Sequence, residues 1–240
     1  YQIDVEDYEI IAKYHNKQVL VSYDLDDKSE QNVRLGNIFH MNREERVSVD
    51  LSLNSLTSHA FITGSTGSGK SNTIYQLLSE ARENNVKFLV VEPAKGEYKH
   101  VFGQEKDVAV YGTNPKLTPL LRLNPFSFSK EIHILEHLDR LIEIFNVCWP
   151  MYAAMPAVLK KAVEKSYIDC AYKGSLLTRI ESLTNGINGI IFAQDELSEQ
   201  QLFDSNVIID LSRVGSSETK SLIMGILVLK LQEYRMSQEE

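Results

Sequence analysis

The sequence predicts an α/β fold built on a mainly parallel sheet, with a small β-rich segment ahead of it. Three observations carry this. A glycine-rich loop, Gly64 to Gly69, stands between a strand pattern, His59–Thr63, and a helical pattern with Ile74, Leu77, Leu78 and Ala81 at i, i+3, i+4 and i+7. The apolar run Val86 to Val91 comes next, completing a β-α-β unit whose strands must lie parallel. Farther on, Val207-Ile208-Ile209-Asp210-Leu211 is a continuous apolar strand of the kind buried on both faces.

In chain order, residues 1–58 read as short strands. Gln18 to Tyr23 and Arg46 to Leu51 place apolar or β-branched residues at period two, with a charged loop from Asp24 to Asn32 between them. Residues 59–240 read as the α/β core. Within it, Val108 to Tyr111 is a further strand, and residues 130–146 form an amphipathic helix carrying Ile132, Leu135, Leu138, Ile142 and Phe145. Pro150 and Pro156 interrupt it, and a second helix follows near residues 157–172, the two forming a helical insertion near 130–185. Asn185 to Asn188 reads as a turn, and a last helix near 217–236 carries Leu222, Ile223, Ile226, Leu227, Leu229, Lys230 and Leu231.

Composition bounds the function. The 240 residues suffice for one large domain and its core, and 43% hydrophobic with 24% charged residues excludes a disordered or fibrous chain. Lys plus Arg number 25 against 33 Asp plus Glu, a formal charge of -8, so a general basic coat for nucleic acid is excluded and only a local basic groove is left. Cys148 and Cys170 stand alone without a CxxC pattern, which predicts a reducing compartment, the cytoplasm, and no disulfide framework. No apolar run reaches the roughly 20 residues that span a bilayer, so no membrane association is expected. The chain opens on Tyr1 without Met and stops at the end of a helical pattern, so part of a longer protein is expected.

Gly64-Ser65-Thr66-Gly67-Ser68-Gly69-Lys70-Ser71 fits G-x-x-x-x-G-K-[ST] with a strand pattern before it and a helix after it. Glycines admit positive φ, so successive N–H groups can turn inward, and the helix N-terminus adds about half a positive charge toward phosphate. Residues Gly64 to Asn72 are thus expected to hold a nucleoside triphosphate, with Lys70 reaching the β- and γ-phosphates and Ser71 holding Mg²⁺. Hydrolysis further requires a carboxylate that polarises water. Glu92, Glu97 and Asp210, at or just past strand ends, are the candidates, because ligands of open α/β sheets bind at the carboxyl ends of strands. The alternative for each is a cap or turn at its strand end.

Taken in order, Thr63 to Thr73, Phe88-Leu89-Val90-Val91-Glu92-Pro93 with Gly96-Glu97-Tyr98, Leu123-Asn124-Pro125-Phe126, and Val207 to Ser212 resemble the HerA-like branch of the FtsK/HerA motor ATPases. The resemblance covers residues 47–236, and its most specific parts are the Gly-Glu-Tyr and Leu-Asn-Pro-Phe segments. It implies a RecA-like P-loop core that assembles as a hexameric ring, hydrolyses ATP between subunits and pumps double-stranded DNA through its pore. It also implies that residues 1–58 are part of a small N-terminal barrel. Bacterial relatives work with a nuclease or a sirtuin-like, NAD-consuming effector in anti-phage defence, archaeal ones with a nuclease in DNA end processing. In this family the Walker B strand, ending in paired acidic residues, follows the helix that corresponds to residues 217–236. Asp210 is then on the preceding strand, and the catalytic glutamate is expected outside the sequence. Arg213 is the candidate arginine acting on a neighbouring subunit, with a surface ion pair as its alternative. Two other readings stand beside the translocase: a ring scaffold that binds ATP and organises an effector, and a secretion or conjugation ATPase.

The remaining motifs have plain readings. His133-Ile134-Leu135-Glu136-His137 matches the H-x-x-E-H of inverted zinc proteases, but no third ligand is placed, so solvated histidines are expected. Trp149, Met151, Tyr152 and Met155 are expected to seal a core rather than stack on bases. Lys160, Lys161 and Lys165 form a solvated basic stripe, and Asp195, Glu196 and Asp204 a hydrated loop rather than a metal site. The base-recognition motif of GTPases and the L-S-G-G-Q signature of ABC transporters are absent.

Overall fold

The computed structural model describes residues 3–4, 9–14, 17–22, 32–149, 155–168 and 186–238. They fall into two compact units, residues 1–86 and 87–240.

In the first unit, β1 (Ile3–Asp4), β2 (Glu9–Tyr14) and β3 (Lys17–Ser22) form an antiparallel sheet in that order. A separate antiparallel hairpin joins β4 (Asn32–His40) to β5 (Arg43–Ser52). Met41 and Asn42, both at positive φ (48° and 59°), make its two-residue turn, as the right-handed twist of paired strands favours. The expected β-rich character is present, but the barrel is not. Among the described residues the two sheets are unconnected, and the two pairs that β1 makes cannot carry the continuous stagger a closed barrel requires.

After a 3₁₀ turn, Asn54–Thr57, the strand expected over His59–Thr63 is not formed. His59 sits at φ 29°, outside the extended region, and Phe61 is 90% exposed, so the burial that makes an apolar run a strand is missing. The helix after the loop is formed as α1 (Lys70–Glu83). It is tied to β4 by polar contacts at one backbone position: Glu80 Oε2 accepts from Arg34 N–H (3.2 Å), and Gln76 Nε2 donates to Arg34 O (3.0 Å) and Glu80 Oε1 (3.0 Å).

The second unit holds a three-stranded parallel sheet in the order β6 (Leu89–Glu92), β8 (Asn206–Asp210), β7 (Val108–Gly112). This is the sheet that the two apolar runs predict. β8 is its centre and all five of its residues are buried, which explains its uninterrupted apolar run. Val207 and Ile209 point to one face and join a core built by α3 (Ile134–Cys148) and α7 (Ser217–Met236), through residues such as Leu141, Phe145, Leu222 and Ile226. Ile208, on the opposite face of the pleat, is also fully buried.

The shorter helices are α2 (Tyr98–Phe102), α4 (Met155–Ile168), α5 (Gly186–Ile191) and α6 (Glu199–Phe203). α4 begins one residue before Pro156, a position where a missing N–H costs nothing. Pro150, Met151, Tyr152, Cys170 and the loop Asp24 to Gln31 lie outside the described residues. Of the turn expected at Asn185 to Asn188, Asn185 lies outside the described residues and the rest is instead the first half of α5; Leu123 N–H donates to Ile191 O (2.8 Å), and fully buried Ile191 fixes the segment against the core. Tertiary contact here overrides the turn preference of Asn and Gly. Among the described residues no helix is long and apolar enough to cross a membrane.

Ile209 is fully buried at the centre of the sheet. Ile209→Ala removes three methyl-sized groups there and is expected to destabilise the fold by about 2–5 kcal/mol, read as a lower urea midpoint at unchanged m-value.

Candidate functional site

The glycine-rich loop begins with extended backbone at Gly64 (φ 157°) and turns through Gly67 (φ 80°) and Gly69 (φ 91°). Gly69 is the N-cap of α1 in the left-handed region, which only glycine enters without strain. Gly64 is required for space as well, since a Cβ there would meet Ser68 Oγ at 2.4 Å. Ser68 N–H folds back on Ser65 O (3.2 Å), and among the described residues the N–H groups of Thr66, Gly67 and Gly69 meet no protein acceptor. The Lys70 ammonium donates to Gly64 O (2.8 Å) and Ser65 O (2.7 Å). Unmatched donors at a helix N-terminus beside a cation fit a polyphosphate. Ser71, in the first turn of α1, is half-buried and carries the hydroxyl that suits Mg²⁺, while Asn72 is exposed. The donors of this loop thus fit a nucleoside triphosphate, and its hydroxyl fits a divalent cation.

The acidic candidates belong to the second unit. Parallel register sets Glu92 of β6, Asp210 of β8 and Gly112 of β7 at one level, the carboxyl end of the sheet. Glu92 is buried, and its two carboxylate oxygens accept the N–H groups of Glu97 (2.8 Å) and Tyr98 (3.2 Å), satisfying the orphan donors that open α2. That is the capping alternative for this residue. Glu97 has a 43% exposed side chain and meets Lys95 Nζ at 3.3 Å. Asp210 is nearly inaccessible: Lys99 Nζ lies 2.5 Å from Oδ2, and Ser212 N–H donates to Oδ1 at 2.9 Å. Burial pushes the Asp210 carboxyl up, but the bonds from Lys99 and Ser212 outweigh it and hold it below the usual carboxylate range. Arg213, exposed just past β8, makes no ion pair among the described residues.

Lys99 escaped sequence reasoning, because a lysine in a polar stretch gives no sign of a partner 111 residues away. A second buried network escaped it too. His137 is fully buried rather than solvated: Nδ1 lies 2.9 and 3.1 Å from the Glu233 oxygens, Nε2 lies 3.2 Å from Pro125 O, and the ring stacks on Phe128. His133 instead caps α3, its Nδ1 accepting from Leu135 N–H (3.2 Å), and Glu136 pairs with Arg140 at 2.5 Å. The zinc pattern is thereby dispersed, and among the described residues no group of His, Cys, Asp and Glu could hold a metal.

The expected hydrated loop is also partly structural. Glu196 pairs with Lys230 (2.8 Å) and accepts from Asn124 N–H (2.9 Å), Asp195 pairs with Arg122, and Asp204 accepts from the Tyr234 hydroxyl. Trp149 packs its ring 5.6 Å from that of Phe145, the core role expected of it. Lys160 pairs with Asp139, and Lys161 is exposed.

A P-loop NTPase core is the class that this parallel sheet and phosphate loop define. The family described as "Helicase HerA, central domain" matches residues 33–230, so the chain belongs to the HerA-like branch of the FtsK/HerA ATPase group. It is also similar to the "Probable DNA double-strand break repair helicase HerA" of Methanocaldococcus jannaschii, 34% identical over 99 residues, a stretch that spans 41% of this chain and 19% of that protein.

Asp210 has a depressed folded-state value, so its contribution to stability is present above the unfolded aspartate value, about 3.9, and is lost as pH falls through the lower folded value. Asp210→Asn lacks this component. The stability gap between the native chain and this variant should be widest near neutrality and shrink below about pH 4, followed by urea denaturation across the pH range. A gap constant into the acid range would contradict an ionised, paired Asp210.

Proposed function

We propose that the chain forms the ATPase core of a HerA-type DNA translocase or helicase subunit, working in the cytoplasm as a homohexameric ring on double-stranded DNA. The observation that carries the reading is the loop itself: a complete phosphate-binding motif with unmatched N–H donors opening α1, in a chain that belongs to the HerA family. The description of the archaeal relative as a probable DNA double-strand break repair helicase supports the DNA substrate.

In this reading Gly64 to Asn72 hold the triphosphate, Lys70 neutralises its charge and Ser71 holds Mg²⁺. Glu97 and Asp210 orient metal or attacking water, and Glu92 holds the turn that carries Glu97. Bound ATP and Mg²⁺ supply the phosphoryl group and its charge neutralisation. Phosphoryl transfer asks the protein for positioning and electrostatic stabilisation rather than covalent chemistry, so the missing cation can come from a neighbouring subunit. Arg213 is the candidate, because no ion pair among the described residues has to be broken to present it. The setting, anti-phage defence or DNA end processing beside a nuclease or NAD-consuming effector, rests on the family resemblance alone.

One observation favours a second reading. A net charge of -8 suits a ring that binds ATP for cohesion and organises an effector without translocating DNA.

Lys70→Ala in the full-length protein is expected to lower Mg²⁺-dependent ATP hydrolysis about 100-fold or more, since it removes the cation nearest the transferred charge. Unchanged hydrolysis would overturn the assignment of the loop. Separately, duplex DNA should stimulate hydrolysis and bind with an affinity that falls steeply between low and moderate salt. Hydrolysis indifferent to DNA, with no salt-sensitive binding, would favour the scaffold.

A further inference from the structure

We propose that Lys99 is a positioning residue, which fixes the Asp210 carboxylate in one orientation at the carboxyl end of β8 for the ATPase reaction. The inference rests on the reading that Asp210 orients metal or water.

The geometry is a splint built across two strand ends. Glu92, at the end of β6, clasps the N–H groups of Glu97 and Tyr98 and so anchors the start of α2. Lys99 lies in the first turn of that helix and reaches across to β8, where its ammonium meets Asp210 Oδ2 at 2.5 Å. Both side chains are largely withdrawn from solvent, 16% and 5% exposed. The close approach depends on Gly96, at φ 69°, where a Cβ would come within 2.8 Å of Ser212 Oγ, 3.2 Å of Asp210 Oδ1 and 3.2 Å of Lys99 Nζ. A glycine is needed there on both conformational and steric grounds.

Stability alone does not account for this arrangement, because a buried ion pair contributes little beyond a well-packed apolar pair. What the splint does achieve is directional. Lys99 takes a lone pair on Oδ2 and the Ser212 N–H takes one on Oδ1, at fixed angles. The Ser212 hydroxyl adds a further bond to the same carboxylate, which therefore cannot rotate to offer another direction. Positioning of that kind acts on the rate of the chemical step and leaves substrate binding alone.

A double-mutant cycle on ATP hydrolysis by the full-length protein tests this. Lys99→Met is expected to lower kcat about 10- to 100-fold with KM for ATP held within about twofold, and Lys99→Arg, which keeps the cation, to recover most of the loss. In an Asp210→Asn background, Lys99→Met should change kcat less than about twofold, because its effect runs through the carboxylate. If Lys99→Met does not fold, Lys99→Gln, whose shorter neutral side chain places no cation on Asp210, replaces it in the cycle. Losses that multiply in the double mutant overturn the inference, as does a rise in KM at constant kcat. An impaired Asp210→Asn beside a native-like Lys99→Met overturns the inference alone and leaves the ATPase reading standing. A native-like Asp210→Asn overturns the role of Asp210 and the inference with it, and absence of hydrolysis in the native protein overturns the whole reading.

Discussion

The parallel register of β6, β8 and β7 is the constraint from which the second unit follows. β8 is buried along its whole length, so its main-chain groups must be paired on both edges, and the ladders that pair them bring Glu92 and Asp210 level with each other. Two carboxylates are thereby delivered to one end of a sheet with little water to solvate them. Each needs compensation, and the start of α2 and the turn after β8 supply it. Glu92 receives the N–H groups of Glu97 and Tyr98, and Asp210 receives Lys99 and the Ser212 N–H. The conformation of the turn, including the positive φ of Gly96, follows from that requirement.

A similar logic governs the packing of α7 on α3. The buried side of α7 is apolar except for Lys230 and Glu233, and both lie where residues 123–128 pass. Lys230 donates to Ser127 Oγ (2.7 Å) and pairs with Glu196, while Glu233 meets His137, whose other nitrogen faces Pro125 O. Nearby, burial pushes Glu199 up, opposed by Lys230 and assisted by the charges of Glu196 and Glu233. Such a network adds little net stability over a wholly apolar interface, but removing one member leaves a buried polar partner unpaired. It therefore fixes which register of α7 and the 123–128 segment is allowed, a matter of specificity more than strength.

How far the sequence could be read depends on whether a feature is local. The apolar run at Val207, the helix after the loop and the glycines of the loop each state their structure within a few residues, and each is found in place. The Ser198 capping box of α6 is equally local, with Gln201 three residues on. The failures are non-local. Whether His59–Thr63 pairs as a strand depends on neighbours, and whether strands close into a barrel depends on matched lengths and stagger. Asn185 to Asn188 resembles a turn until the contacts of Ile191 are known. The partner of His137 is 96 residues away and that of Asp210 is 111 away, so no period could reveal them. Only Lys230 left a trace, as a charge on an otherwise apolar helical face.

The same bookkeeping of partners bears on how an acidic chain could meet DNA. Fields from distant charges are screened beyond about 10 Å at 0.1 M salt, so a net charge of -8 matters less than which cations stand near the polyanion without an acid beside them. Many cations here are already answered: Arg122 by Asp195, Arg140 by Glu136, Lys160 by Asp139, Lys99 by Asp210 and Lys230 by Glu196. Arg213 and Lys161 are exposed and make no ion pair among the described residues. A phosphate, of ATP or of DNA, would gain the full field of such a cation, whereas it would have to displace a carboxylate from the paired ones. Contact with a polyanion would therefore fall to exposed cations of this unanswered kind, whatever the sign of the total charge.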